Sequence, residues 1–188
     1  MPLRAMRLII AVTGASGVIY AKRLLEELRA RDVEIHLIVS EAGRVVVEEE
    51  LGGVEVLREL ADRVYEPNDL RAPPTSGSFK VDGMVIIPAS MKTIAAIAGG
   101  YADSLITRAA DVQIKEGRRL IVVPRETPLS PIHLKNLLWL SLLGVKIIPA
   151  SPAFYHKPNT VMELVDFIVG KILEQLGFKH QLYRPWSP

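Results

Sequence analysis

Short runs of β-branched and aliphatic residues alternate along this chain with longer stretches of helical period, the pattern of a parallel sheet crossed by helices. Apolar runs rich in Val and Ile at 8–12, 33–39, 83–87, 120–123 and 145–148 predict five short strands covered on both faces. Between and after them the period predicts helices at 18–30, 41–51, 91–98, 102–115, 132–143 and 161–176. End signals agree with these bounds. Ser130 precedes Pro131 as an N-cap with proline in the first turn, Thr160 and Glu163 form a capping box, and Gly177 closes the last helix. The expected fold class is therefore α/β, a doubly wound, mainly parallel sheet in a flavodoxin- or Rossmann-like three-layer sandwich.

The helices are not alike. In the last one, Val161, Leu164, Val165, Ile168 and Ile172 make a single stripe that one sheet face covers. By contrast, Leu137, Leu138, Trp139, Leu140, Leu142 and Leu143 make their helix apolar on nearly every side, which predicts a subunit interface and a homo-oligomer. The proline-rich stretch 71–78 reads as a surface loop and 179–188 as a tail. With no repeat or internal linker, residues 1–188 are expected to form one domain.

Composition narrows the function classes. The 188 residues, 49% hydrophobic and 23% charged, suit a soluble fold and exclude collagen, coiled coil and wholesale disorder. A net charge of +2 gives no reason to expect nucleic acid as a partner. Cysteine is absent, which removes disulfides, thiolate nucleophiles and Cys-based metal sites and points to the cytoplasm. The four histidines, at 36, 133, 156 and 180, lack paired spacing, so no metal is expected. His36 reads as a satisfied strand residue and His156 as one that shapes its loop. The basic opening, Met1 to Arg7, runs into an apolar stretch that stops at Thr13-Gly14, so it reads as a strand and not a signal peptide. The longest apolar stretch, 137–145, is too short for a membrane span.

Ligands of a doubly wound sheet bind outside the carboxyl ends of its strands, where helix N-termini present unpaired N–H groups. Here those ends are Thr13-Gly14-Ala15-Ser16-Gly17, Ser40, Ser90-Met91-Lys92-Thr93, Arg125-Glu126-Thr127, and Ser151 on to Tyr155-His156-Lys157. Hydroxyls, small residues and charges thus gather at one rim, which predicts a binding site there. The glycine turn is neither GxGxxG nor a phosphate loop, and Ser40 replaces the carboxylate that holds an adenosine ribose, although Glu41 is next to it. Ser90, Lys92 and Thr93 at a helix start suit one phosphate, as in a mononucleotide such as FMN, and serve equally as plain N-caps.

Six segments in order, VTGASG at 12–17, APPTSGS at 72–78, SMKT at 90–93, RAADV at 108–112, VPRETPL at 123–129 and PAFYHKP at 152–158, resemble the successive motifs of the flavin prenyltransferases of UbiX type. That resemblance implies a flavodoxin-like fold, a homo-oligomer of trimers building a dodecamer, and an active site between subunits. The implied reaction moves a dimethylallyl group from dimethylallyl phosphate, or the diphosphate, to N5 and C6 of reduced FMN, and prenylated FMN then passes to a UbiD-type decarboxylase. Residue by residue, it implies FMN contacts at Gly14, Ala15, Ser16, Ser40, Ser90, Met91, Lys92, Thr93 and Arg125. It places the prenyl phosphate on Tyr155 and Lys171, with Arg108 and Lys115 reaching across an interface, and Trp186 near the prenyl chain. Ser16, Glu50 and Glu126 are its catalytic candidates. Two positions depart from the pattern: relatives often carry Arg at Lys171 and Trp at Leu70.

The residue types fit that chemistry. No aspartate-rich DDxxD motif is present to hold magnesium, so Arg108, Lys115, Arg125 and Lys171 are left to neutralise the departing phosphate. Aromatic faces at Tyr155 and Trp186 are suited to sheltering an allylic cation. Two other readings stay open on the residues alone: a flavin-dependent decarboxylase of the same fold, whose PxMNxxMW pattern is missing, and a non-catalytic FMN carrier or scaffold.

Overall fold

The computed structural model describes residues 6–186, so the first five residues of the basic opening and the last two of the expected tail lie outside the described residues. The chain runs β1 (Met6–Val12), α1 (Val18–Arg29), β2 (Val33–Val39), α2 (Glu41–Leu51), α3 (Glu55–Arg58) and β3 (Arg63–Tyr65). A 3-10 turn at Pro73–Thr75 leads to β4 (Gly83–Ala89), α4 (Met91–Ala98), α5 (Leu105–Lys115) and β5 (Leu120–Pro124). Then come α6 (Pro131–Leu142), β6 (Lys146–Ile147) and α7 (Val161–Leu176).

Six parallel strands lie in the order β3-β2-β1-β4-β5-β6. This is the order of the dinucleotide-binding fold, yet without β3 the remaining five have the flavodoxin order. β3 is the strand that sequence patterning did not supply. Three residues flanked by charge carry no alternation, and its position is set by Asp62, whose carboxylate accepts from the Ile35 N–H at 2.8 Å while its own N–H donates to the Ile35 carbonyl. β4 also runs two residues past its expected end. Pro88 has no N–H to give the ladder, and the register with β5 shifts between Ile86 and Ala89.

Side chains alternate through the sheet. Leu8, Ile10 and Val12 face the layer made by α1 and α7, whereas Ile9 and Ala11 face that of α4, α5 and α6. α6 buries Leu140 and leaves Ile132, Leu134, Leu138, Trp139 and Leu142 at least half exposed. The segment after Gly177 lies against α7 through the buried ring of Tyr183. Gly170 permits this, because a Cβ there would lie 2.5 Å from that ring. His36 is buried between strands, with Nδ1 2.8 Å from the Tyr65 hydroxyl and Nε2 2.9 Å from Glu34. Among the described residues no helix is long and apolar enough to cross a membrane.

Candidate active site

Strand order reverses between β1 and β4, and the carboxyl ends of these two strands are joined by Thr13. Its Oγ1 donates to the Pro88 carbonyl at 2.8 Å and accepts from the Ser90 N–H at 2.8 Å. Above this junction is a cavity of about 190 Å³ lined by Gly14, Ser40, Ser90, Lys92, Thr93 and Ser104, among others.

Three helices start on that cavity, each with a serine N-cap. Ser40 Oγ accepts from the Gly43 N–H, Ser90 Oγ from the Thr93 N–H and Ser104 Oγ from the Thr107 N–H. Each cap serves one of the four amides that a helix start leaves without an internal partner, so further N–H groups of α2, α4 and α5 remain for a ligand. The lining side chains supply one cation, Lys92, against the carboxylates of Glu41 and Asp103. Its capacity for an anion therefore comes chiefly from the helix starts and their dipoles, which suits a single phosphate ester.

The neighbouring turn from β1 to α1 is built tightly. A Cβ on Gly14 would lie 2.5 Å from the Ala42 Cβ, so that glycine lets the first turn of α2 approach. Gly17 is left-handed at φ 98° and starts α1 without a side-chain cap of its own. Glu50, at the far end of α2, fills this role. Its two carboxylate oxygens accept from the Gly17 N–H at 3.1 and 3.0 Å, and one also accepts from the Val18 N–H at 3.0 Å. Arg125 reaches the same turn from β5, its Nε donating to the Ser16 carbonyl at 3.2 Å. Ser16 is exposed beside the buried Ala15, and Met91 points into the core while its amide sits at the α4 start. Glu126 follows, half-buried, with Oε1 accepting from the Thr127 N–H at 3.2 Å.

The residues expected at the prenyl phosphate fall in two other places. Tyr155 sits edge-on to Trp186 at 5.6 Å and to Phe167 at 5.9 Å. Lys171 lies beneath this group, 5.7 Å from the Phe167 ring and 5.2 Å from that of Tyr183, and donates to Glu174 at 3.0 Å. Its interaction with the Tyr183 hydroxyl, joined by Glu174, outweighs partial burial and raises its pKa above the usual 10.5. The ring of His156 stacks on Phe167 at 5.5 Å.

Arg108 and Lys115 are on α5, away from both groups. Arg108 donates to the Thr75 carbonyl at 3.2 Å and to Asp111 at 2.7 Å, and Lys115 pairs with Glu116 at 2.7 Å. Lys115 stands eleven residues beyond Ser104, roughly 16 Å down the helix axis from the cavity rim. The cavity thus gathers Gly14, Ser40, Ser90, Lys92 and Thr93, with Ser16 and Arg125 at the neighbouring turn, while Arg108 is partly buried against Thr75 and Lys115 is exposed at the foot of α5.

Pro67, Asn68 and Ser104, also in the cavity lining, are not among the ligand-site candidates that the sequence offers. Ser104 was legible as one half of a capping box with Thr107, a weaker signal than Ser with Glu. Pro67 and Asn68 follow the unpredicted β3 and had no local mark.

A Flavoprotein family model matches residues 2–173. The chain is 47% identical to the flavin prenyltransferase UbiX of Methanocaldococcus jannaschii, covering 97% of this chain and 99% of that one. Among solved structures, AnUbiX in complex with FMN and dimethylallyl pyrophosphate superposes with a TM-score of 0.96 at 42% identity, over 98% of this chain and 99% of the other. A dodecameric FMN-dependent UbiX-like decarboxylase from Escherichia coli O157:H7 gives 0.95 at 46%, over 97% and 100%. The chain belongs to the flavoprotein family and, within it, to the UbiX-type flavin prenyltransferases.

Proposed function

We propose that this protein transfers a dimethylallyl group from dimethylallyl phosphate, or the diphosphate, to N5 and C6 of reduced FMN. The observation that carries the reading is the meeting of three serine-capped helix starts on one cavity at the reversal of strand order. Bound reduced FMN supplies the nucleophilic ring atoms that accept the five-carbon unit.

Each part of the chain then has a task. The α2, α4 and α5 starts, with Ser40, Ser90, Lys92 and Thr93, hold the FMN phosphate through N–H and hydroxyl donors. The turn Gly14-Ala15-Ser16 presents its backbone and the Ser16 hydroxyl to the isoalloxazine, and Arg125 fixes that turn through the Ser16 carbonyl. Tyr155 and Trp186 wall the prenyl group with ring faces that favour positive charge at the allylic carbons. As the carbon–oxygen bond breaks, Lys171 from this wall meets the negative charge leaving on phosphate, and Arg108 and Lys115 of a neighbouring subunit add to it. Closing the ring at C6 would release one proton there and take one up at the prenyl double bond, and Glu126 would relay the released proton with the departing phosphate as base.

The bare apolar face of α6 and the exposed Lys115 support a homo-oligomer, and the dodecameric neighbour supports reading it as trimers building a dodecamer. In this reading each chain is one domain and acts in the cytoplasm. The product serves a UbiD-type decarboxylase. Anaerobic incubation with reduced FMN and each prenyl donor, in the presence of chelator, is expected to yield a flavin heavier by one five-carbon unit in mass spectra. An unaltered flavin with both donors overturns the reading, and decarboxylation of a peptidyl cysteine in its place assigns the other enzyme class.

A further inference from the structure

A lysine ammonium is a point charge on a flexible stem, so its direction has to come from its neighbours. Lys171 pairs with Glu174 three residues on, both side chains 40% exposed, and between two such groups an ion pair alone fixes little. Here the carboxylate is itself anchored. Its Oε2 accepts from the Lys171 ammonium at 3.0 Å, while Oε1 accepts from the Tyr183 hydroxyl and lies 3.4 Å from His180 Nε2. Both of these rings are buried, although they belong to the segment that follows α7. The Leu182 N–H donates to His180 Nδ1 at 3.2 Å, so in the neutral ring the proton is on Nε2, facing Glu174. Gly170, one residue before Lys171, makes room for the two rings: a Cβ there would lie 2.5 Å from that of Tyr183 and 2.6 Å from that of His180. The lysine opens on a cavity of about 370 Å³ whose wall also holds Ser151 and Phe167.

We propose that Glu174, held by Tyr183 and His180 of the C-terminal segment, is a positioning residue that fixes the Lys171 ammonium for the donor phosphate. Glu174 occupies one of the three ammonium donors and leaves the others for phosphate oxygens. The inference rests on the donor reading above and deepens it: the segment that brings Trp186 to the prenyl wall also sets the direction of the cation beneath that wall. Donor recognition then depends on how His180 and Tyr183 are packed on Gly170.

The test is a double-variant cycle read by calorimetry as affinities for FMN and, on the enzyme loaded with oxidised FMN, for dimethylallyl phosphate and diphosphate. It uses the wild type, Tyr183→Phe, Glu174→Gln, Lys171→Ala, and Lys171→Ala combined with each of the first two. Tyr183→Phe keeps the ring and its packing and loses only the hydroxyl. Tyr183→Phe and Glu174→Gln are each expected to weaken donor binding by about fivefold, the scale of one hydrogen bond, with FMN affinity within about twofold of wild type. On the Lys171→Ala background neither should have any further effect, a result that a merely structural part in packing the segment would not produce. Losses that add in full on that background, equal losses for FMN, or tighter donor binding by Glu174→Gln overturn the proposal. A wild type that binds FMN and neither donor sinks the donor reading instead. Crystals of the wild type and Glu174→Gln then decide the part played by Glu174: the Lys171 ammonium is expected to leave its place beside Phe167 and Tyr183 in the variant, and an unchanged position overturns the proposal.

Discussion

Thr13 ties Pro88 to the site: one hydroxyl donates to the proline carbonyl and accepts the next amide but one, that of Ser90, both at 2.8 Å. It holds together the ends of β1 and β4 where their directions of chain progression part, and Thr13 is 1% exposed. Thr13→Val keeps the shape and the residue-13 N–H bond to the Pro88 carbonyl, removes the hydroxyl's bond to that carbonyl and leaves the Ser90 N–H unpaired, which costs about 1–3 kcal/mol. The melting temperature is expected to fall by roughly 2–12 °C. FMN affinity should drop with it, whereas Thr13→Ser retains both, as thermal melts and flavin titration will show.

Gly14→Ala places a methyl where the Ala42 Cβ already stands, 2.5 Å away. The first turn of α2 must move, at about 1–3 kcal/mol for overpacking. Because Ser40 caps that turn at the cavity, FMN binding is expected to weaken by more than the loss of stability alone implies. The Gly14→Ala, Ala42→Gly pair should restore much of it. Calorimetry on the two single variants and the double variant measures the coupling.

Lys171→Ala removes the cation that Tyr183 and Glu174 orient, and its expected effect is a tenfold or larger rise in KM for the prenyl donor with FMN affinity within threefold of wild type. Lys171→Arg should recover donor use, since a guanidinium offers a forked contact to the same oxygens. Equal losses in donor and flavin binding would place Lys171 elsewhere. Steady-state kinetics with mass detection of the adduct separates the two.

Acid should destabilise the edge of the sheet. Burial takes the pKa of His36 below its ordinary 6.5, outweighing the pull of Glu34, and the ring also faces Tyr65, Phe79, Arg7 and Asp62. A depressed histidine contributes stability that is complete above its unfolded pKa and is lost as pH falls from that value through the lower folded one. Glu34 acts in the same sense. Its burial is outweighed by the hydrogen bonds and charges of Arg7 and His36, its carboxyl lies below the usual 4.5, and its share disappears as pH drops further. Melts between about pH 5 and 8 should show a decline below 6.5 that His36→Phe flattens.

Much of this was readable in advance, for identifiable reasons. β2, α2, α4 and α7 have the bounds their patterns indicate, because Val, Ile and Leu periodicity, Ser40, Ser90 and Gly177 are local signals. β3 was not readable, since Arg63-Val64-Tyr65 is held through the adjoining Asp62 by Ile35 and through Tyr65 by His36, partners remote in sequence. α5 begins at Leu105 and not at 102, as Ser104 with Thr107 supplies a stronger start than the preceding Ala102. The rim serines were visible as strand ends, but their meeting with Ser104 depends on how α5 packs. The resemblance marks Glu50 as a catalytic candidate, and only the fold shows it on the amides of α1, a relation between residues 33 apart.

The length of α5 has a consequence for what counts as one catalyst. Its start contributes to the cavity of its own chain, while its foot, with Lys115, is a helix length removed and turned outward. If the foot of one copy lies over the rim of the next, as proposed above, a protein disabled at Ser16 and another disabled at Lys115 would each retain the half that the other lacks. Co-assembled from a mixture, they would then regain turnover at those junctions where both sound halves meet, and dominance or rescue between alleles would follow from stoichiometry alone.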